Sequence, residues 1–325
     1  MNFKDAKVQG LDALEELDKD SALVYVSSHK SHFDYWIIPF HLCQRNLKVP
    51  AIASGDNLFI SVIGWYFRKL KAIKLKRGAD AEDLRQFFNY IKEVLIPEKE
   101  PLLFFPEYSR GKNRKIKTGR SYDGKLHNFA PNFLNPLIEA KKCNNHAQIY
   151  VVPTAVSYSR VPEDTSFPYL GRSKSRNKFI FKDLPHIFAQ LLFNSRASYQ
   201  LNFGEPIPIE KDSGLTLTSR IRKEIGKLYT VFPSALLAQA IMQTGKSDVS
   251  YAELEDAINT VHSKLTENGA TFSDTCSDMD RLLHDAKESL RSSDRRIVLF
   301  NQNGVSVRKP EIVEYYANTI KHLVA

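Results

Sequence analysis

Short apolar runs alternate, over the first two thirds of the chain, with longer stretches in which apolar residues recur every three or four positions. The runs are rich in β-branched and aromatic residues, as buried strands are, and the longer stretches have the period of amphipathic helices. The predicted strands span residues 22–28, 50–54, 72–76, 102–107, 149–159 and 199–209. The predicted helices span residues 33–45, 57–70, 80–96 and 131–143. This alternation predicts an α/β fold with a central, mostly parallel sheet flanked by helices.

The pattern changes near residue 215. Helical spacing then dominates, over residues 219–245, 251–269, 278–292 and 310–323. Between the last two helices, residues 296–308 predict a hairpin that turns at Asn303-Gly304. We therefore divide the chain into an α/β domain, residues 1–214, and a mainly helical C-terminal region with a short hairpin, residues 215–325.

Charge and cysteine content narrow the class of protein. The 325 residues are 42% hydrophobic and 26% charged, which is a globular composition. The net charge is +9, and the segment from Arg68 to Arg120, with 15 basic and 7 acidic residues, holds +8 of it. Such a field attracts phosphates, nucleic acid or anionic lipid headgroups. Three widely spaced cysteines predict neither a disulfide framework nor a zinc site, and no metal is expected.

Neither a signal peptide nor a membrane span is predicted. Residues 1–20 are charged and lack an apolar core. The longest uncharged stretch, residues 228–245, is interrupted by Pro233, Gln239 and Gln243 and reads as a buried or interfacial helix. We expect a soluble or surface-bound protein in a reducing compartment.

His29 and Asp34 directly follow the strand predicted over residues 22–28. In parallel sheets, ligands bind at the carboxyl ends of the strands. A carboxylate five positions after a histidine can fix the imidazole tautomer and leave the other ring nitrogen to take a proton from a hydroxyl. No serine or cysteine follows at the spacing of a nucleophile, so we expect direct attack by a substrate hydroxyl. Taken alone the pair is a weak signal, because Asp34 also suits the first turn of a helix.

The segment from His29 to Tyr35, which reads HKSHFDY, resembles the first motif of the glycerol-3-phosphate acyltransferases, H-x-S-H-x-D-Y. The resemblance implies that His29 and Asp34 are the catalytic dyad. It also implies that Ser31 and His32 support that dyad.

Other segments resemble later motifs of the same family, in the same order. Residues 54–70 are similar to its G-D-N-L segment, and the basic strand ending at Lys76-Arg77 is similar to its second motif. Residues 104–110, FFPEYSR, resemble the third motif, although Tyr108 replaces its glycine and Lys71 replaces the glycine of the second motif. The resemblance implies a set of substrate-binding residues that hold the phosphate or the acceptor: Arg68, Lys76, Arg77, Glu107, Arg110 and Lys112.

Two further matches are less specific. Residues 152–158, VPTAVSY, resemble the fourth motif, and we expect this strand to line the acyl groove, although a plain buried strand fits equally well. Residues 315–318, YYAN, with His322, resemble the ending of the bacterial enzymes.

The resemblance implies a glycerolipid acyltransferase-like fold and a reaction of phospholipid biosynthesis. A fatty acyl group would pass from acyl-CoA or acyl carrier protein to the sn-1 hydroxyl of glycerol 3-phosphate, giving lysophosphatidate. No cofactor is expected beyond that co-substrate. Because donor and product are amphiphiles, we expect peripheral attachment to the cytoplasmic side of a membrane, through the basic segment and the apolar side chains Phe59, Ile60, Trp65 and Tyr66.

Three alternatives stay open. Dihydroxyacetone phosphate or a lysophospholipid could be the acceptor at the same site. Residues 219–308 are also compatible with a winged helix, hence with a basic nucleic-acid or lipid-binding regulator. Against nucleic acid, residues 251–269 are not basic and the +8 segment lies beside the histidine motif instead. The third alternative is an acyltransferase fold without activity, for which the intact dyad gives no support.

Overall fold

The computed structural model describes most of the chain. The described residues are 3–17, 19–31, 33–55, 73–75, 81–110, 116–118, 123–130, 133–144, 146–162, 164, 197–210, 214–290 and 297–324. The helix predicted over residues 57–70 lies outside them.

A mostly parallel sheet forms the centre of the described structure. Its strands are β1 (Asp5–Gln9), β2 (Ala22–Ser27), β3 (Ala51–Gly55), β4 (Ile73–Leu75), β5 (Leu102–Phe104), β8 (Ile149–Tyr158), β9 (Ser198–Phe203) and β10 (Ile207–Pro208). Their order is β1-β9-β8-β2-β5-β3-β4, and β10 also pairs with β8. Only the pairs of β8 with β9 and with β10 are antiparallel among these strands. The predicted α/β class with a mostly parallel sheet is therefore confirmed.

Strand β2 lies in the middle of this sheet and is apolar on both faces. Its residues Leu23 and Tyr25 pack in one apolar cluster, and Val24 and Val26 pack in another. Side chains that alternate between two buried faces are typical of parallel strands covered by helices on both sides. Packing on both faces therefore holds the end of β2 in place, and with it the start of the segment that follows.

The described residues of the first part of the chain form four α-helices: α1 (Asp12–Leu17), α2 (Asp34–Gln44), α3 (Ala81–Tyr90) and α4 (Asn135–Cys143). Helix α2 contributes Ile38 and Leu42 to the cluster of Leu23. Helix α4 and a π-helical turn, Ile91–Leu95, contribute to the cluster of Val24 on the opposite face. A separate two-stranded ribbon joins β6 (Tyr108–Arg110) to β7 (Ile116–Thr118).

The C-terminal region is mainly helical, as predicted. Its helices are α5 (Leu215–Lys227), α6 (Pro233–Thr244), α7 (Tyr251–Glu267), α8 (Met279–Leu290) and α9 (Pro310–Val324). The single helix predicted over residues 219–245 is wrong, because β11 (Thr230–Val231) separates α5 from α6 and pairs with β13 (Thr271–Phe272). Pro233 begins α6, and Phe232 before it is extended, as the residue before a proline prefers.

The predicted hairpin is part of a three-stranded sheet. Strands β14 (Val298–Phe300) and β15 (Gly304–Val307) are antiparallel, and β12 (Asp248–Ser250) pairs with the other edge of β15. Helices α6, α7 and α8 precede the hairpin in the order that the sequence predicted, which is the order compatible with a winged helix. One apolar cluster includes Tyr25 of the first part and Leu237 and Val313 of the second, so the core is continuous across the boundary predicted at residue 215.

The sequence pattern did not predict two elements at the start of the chain, β1 and α1. Strand β1 is largely exposed and carries two charged residues, so it lacks the apolar run of a buried strand. It forms through parallel backbone pairing with β9, which residue type does not reveal. Helix α1 is six residues long and buries Leu14.

Candidate active site

His29 and Asp34 lie together at the carboxyl end of β2. His29 follows two residues after the strand ends, and Asp34 is the first residue of α2. The distance from His29 Nδ1 to Asp34 Oδ2 is 3.0 Å. Both residues are buried, with exposed fractions of 3% and 0%. The structure thus brings together the two side chains that the sequence spacing predicted to meet.

Three further donors hold the Asp34 carboxylate. The backbone N–H groups of Lys30 and Ser31 donate to Oδ2 over 2.8 and 2.9 Å, and the Tyr158 hydroxyl donates to Oδ1 over 2.5 Å. Because an ionised carboxylate can only accept, Nδ1 is the ring nitrogen that donates to Asp34, and the neutral imidazole then has its lone pair at Nε2. This tautomer can take a proton from a hydroxyl at Nε2.

Aromatic rings fix the plane of the His29 imidazole. The ring centroids of Tyr35 and Phe105 each lie 4.7 Å from that of His29, and they lie 4.9 Å from each other. Ser31, predicted to support the dyad, accepts a hydrogen bond from the backbone N–H of Phe33 over 3.1 Å at the start of α2. The imidazole is therefore oriented by the Asp34 carboxylate and by contacts with the two aromatic rings.

Glu107 anchors the backbone of the same segment. Its Oε2 accepts from the His29 N–H and its Oε1 from the His127 N–H, each over 3.0 Å. Lys30 Nζ lies 3.6 Å from Oε1 and donates to the Lys125 carbonyl over 2.7 Å. Glu107 is fully buried and Lys30 is 3% exposed. The role in substrate binding that the sequence assigned to Glu107 stays a prediction, and in this structure its carboxylate supports the backbone of His29.

Side chains of the C-terminal region form hydrogen bonds with the residues around His29, and the sequence did not predict these contacts. The Tyr229 hydroxyl forms a hydrogen bond with the hydroxyl of Ser28, the residue that precedes His29. The Arg222 guanidinium donates to the carbonyls of Leu126 and His127 over 2.8 and 3.0 Å. These partners are 96 and 95 residues apart in the chain, and no local pattern could have paired them.

Helix α9 adds further contacts, with Asp123, Gly226 and Tyr229. Asn318 Nδ2 donates to the Asp123 carbonyl over 2.9 Å. His322 Nε2 lies 3.1 Å from the Gly226 carbonyl, and its ring lies against Tyr229 with 5.1 Å between centroids. Burial lowers the pKa of His322 to about 4, so this ring is neutral near pH 7. Burial, with the nearby Glu107 charge second, raises the pKa of Tyr229 well above its usual value, so its phenol keeps its proton.

Most of the predicted phosphate-binding residues fall outside the described part of the chain. Arg110 ends β6, which places its backbone three residues after Glu107, but its side chain lies outside the described residues. The others outside the description are Arg68, Lys76, Arg77 and Lys112, the supporting residue His32, and the apolar residues Phe59, Ile60, Trp65 and Tyr66. Their roles stay predictions.

Strand β8 carries the segment expected to line the acyl groove. Its residues Val152 and Val156 are buried in the apolar core, with exposed fractions of 0% and 1%. Tyr158, its last residue, instead directs its hydroxyl to Asp34.

No helix of the described residues is both long and apolar enough to span a bilayer. Within the same residues, no three or more histidine, cysteine, aspartate or glutamate side chains form a group that could hold a metal ion.

Known proteins resemble this chain in the same region. Residues 5–157, which include β2, the dyad and Glu107, match the model of the Acyltransferase family. This match agrees with the motif order and with the observed fold.

The chain is also similar to curated glycerol-3-phosphate acyltransferases. The enzyme of Ectopseudomonas mendocina is 24% identical, in an alignment that covers 98% of this chain and 40% of the relative. That of Xylella fastidiosa is 25% identical, covering 76% and 30%, and that of Pseudomonas fluorescens is 24% identical, covering 98% and 40%. The chain thus spans less than half the length of these relatives. The resemblance that the motifs suggested is confirmed.

Proposed function

We propose, on the premise that residues 5–157 form an acyltransferase domain, that this chain acylates the sn-1 hydroxyl of glycerol 3-phosphate from an acyl thioester. The observation that carries the proposal is the buried pair of His29 and Asp34, in which Asp34 holds the imidazole in the tautomer of a general base. The product is lysophosphatidate, and the acyl donor is acyl-CoA or acyl carrier protein.

The proposed reaction is a direct acyl transfer. The acceptor hydroxyl loses its proton to His29 Nε2 while its oxygen bonds to the thioester carbonyl carbon. The tetrahedral intermediate collapses, the carbon–sulfur bond breaks, and the imidazolium returns the proton to the leaving thiolate. The balance is one ester and one free thiol for each thioester and hydroxyl, and no other cofactor takes part.

The proposal assigns the phosphate of the acceptor to the basic residues Arg68, Lys76, Arg77, Arg110 and Lys112. A held phosphate makes the attack effectively intramolecular, and arginine binds phosphate with two parallel hydrogen bonds. We also propose that the protein works at the cytoplasmic surface of a membrane, because both the donor and the product are amphiphiles.

A thiol-release assay tests this function. Purified protein, palmitoyl-CoA and glycerol 3-phosphate should release free thiol, and His29→Ala should abolish the release that depends on the acceptor. His146→Ala is the matched control, because His146 is exposed and makes no side-chain contact with the dyad in the described structure.

Absence of release from the wild-type protein with either thioester donor, and with glycerol 3-phosphate, dihydroxyacetone phosphate and lysophosphatidate as acceptors, would refute an acyltransferase function. Release from His29→Ala equal to that of the wild type would refute the assigned base.

The order of helices and hairpin, which is compatible with a winged helix, is the observation that favours a second candidate function, a nucleic-acid-binding regulator. In that arrangement the third helix reads the nucleic acid, and this helix is α8. Helix α8 carries three acidic residues and two basic residues, a formal charge of −1, whereas phosphate backbones require basic surfaces. Salt-sensitive DNA binding by protein that lacks acyl transfer would support the regulator.

A further inference from the structure

Tyr158 joins the end of β8 to the dyad. It is the last residue of that strand and pairs directly with Tyr199 of β9. Its hydroxyl donates to Asp34 Oδ1 over 2.5 Å, across 124 residues of chain. Only 7% of Tyr158 is exposed, so this hydrogen bond is formed away from solvent. A charge-assisted bond of this kind is among the stronger hydrogen bonds in proteins.

The two oxygens of Asp34 have different partners. Oδ2 faces His29 Nδ1 and the backbone N–H groups of Lys30 and Ser31. Oδ1 receives the Tyr158 hydroxyl, which approaches from a different strand of the sheet. A carboxylate bonded at both oxygens cannot rotate about its Cβ–Cγ bond without breaking one set. Tyr158 therefore fixes the direction in which Oδ2 meets the imidazole.

We infer that Tyr158 is a positioning residue for the acyl transfer proposed above, acting through Asp34 on His29. The inference rests on that proposed function. It differs from the expectation that residues 152–158 line the acyl groove. A groove residue would act on the affinity for the acyl donor and on the preferred chain length, whereas a positioning residue acts on the rate of the chemical step.

The test replaces Tyr158 with phenylalanine, which keeps the ring and removes only the hydroxyl. Tyr199→Phe is the matched control, because Tyr199 is its cross-strand partner and its hydroxyl bonds instead to His41 Nε2 over 2.7 Å. Loss of one hydrogen bond to a buried charge predicts that kcat falls about ten- to hundredfold in Tyr158→Phe. The KM values for glycerol 3-phosphate and for donors of different acyl length should stay within about twofold of the wild type. Tyr199→Phe should leave kcat unchanged.

A second readout needs no activity. The imidazole N–H bonded to Asp34 should give a low-field proton NMR resonance, identified by its loss in His29→Ala. This resonance should shift in Tyr158→Phe and stay in place in Tyr199→Phe. The inference is overturned if it does not move in Tyr158→Phe, or if kcat is unchanged while the preferred acyl chain length changes. If the wild-type protein transfers no acyl group, the proposed function fails, and the resonance still decides whether Tyr158 positions the pair.

Discussion

The buried pair of Lys30 and Glu107 gives a quantitative test of how the His29 segment is held. Glu107→Gln keeps the shape of the side chain and removes its charge. A glutamine has one carbonyl oxygen, so it can accept from only one of the backbone N–H groups of His29 and His127, which Glu107 bonds at two separate oxygens. The variant also removes the carboxylate that lies 3.6 Å from Lys30 Nζ.

The expected loss is large because all of these groups are buried. Removing one partner of a buried ion pair costs about 3–5 kcal/mol, and a buried N–H without an acceptor costs about 1–3 kcal/mol. The same replacement causes both effects, so the two figures overlap. We expect Glu107→Gln to lower the free energy of unfolding by about 4 kcal/mol.

A double-mutant cycle measured by urea unfolding separates the charge from the hydrogen bonds. Lys30→Met keeps most of the side-chain length and removes the charge. If the two side chains interact as the structure shows, the double variant should lose about 1–3 kcal/mol less than the sum of the single losses. The control cycle uses Glu224 and Lys227, an exposed ion pair on α5, and should show no measurable coupling.

Additivity of the Lys30 and Glu107 losses to within about 0.5 kcal/mol would refute the reasoning. It would mean that the two side chains do not stabilise each other in the buried site, and that Glu107 acts through its hydrogen bonds to the backbone alone.

Two further predictions concern the packing of the C-terminal region. Because the pKa of His322 is about 4 in the folded protein and about 6.5 in an unfolded chain, its contribution to stability is present above pH 6.5 and is lost as the pH falls towards 4. Urea unfolding at pH 7 and pH 4.5 should show a smaller loss in His322→Gln, which keeps a donor for the Gly226 carbonyl; an equal loss would contradict the assignment. Gly124 has φ +80°, and an added Cβ would lie 2.1 Å from the Tyr315 carbonyl oxygen, so Gly124→Ala should lower the unfolding free energy by about 3 kcal/mol. The control Gly245→Ala has φ +66° and open space around the new Cβ, so it should cost about 1 kcal/mol, and equal losses would show that α9 does not pack closely there.

The sequence indicated the features whose cause is local. The strand before His29 shows as an apolar run, and the spacing of His29 and Asp34 places both at its end, so the dyad could be found without coordinates. Pro233 also carried a usable signal, since a proline suits the first turn of a helix far better than its interior. The prediction of one helix over residues 219–245 did not take this preference of Pro233 into account.

The remaining supports of the site depend on the three-dimensional fold. Tyr158 lay in a motif already singled out, yet an apolar strand gives no sign that its last hydroxyl meets Asp34. The bond between Tyr229 and Ser28 spans 201 residues. Glu107 was recognised, but its burial and its backbone partners, His29 and His127, become visible only in the folded chain.

The dependence of the His29 segment on distant residues has a consequence for synthesis on the ribosome. Ser28 shares a hydrogen bond with Tyr229, and the Asp123 carbonyl is bonded by Asn318, which is translated almost 290 residues after His29. At usual elongation rates that interval lasts roughly 15–60 s. During it the nascent chain can form β2 and α2 but lacks the partners that complete the site. The full set of contacts around His29 therefore forms late in translation, and a pause before residue 318 would leave this segment without its C-terminal partners.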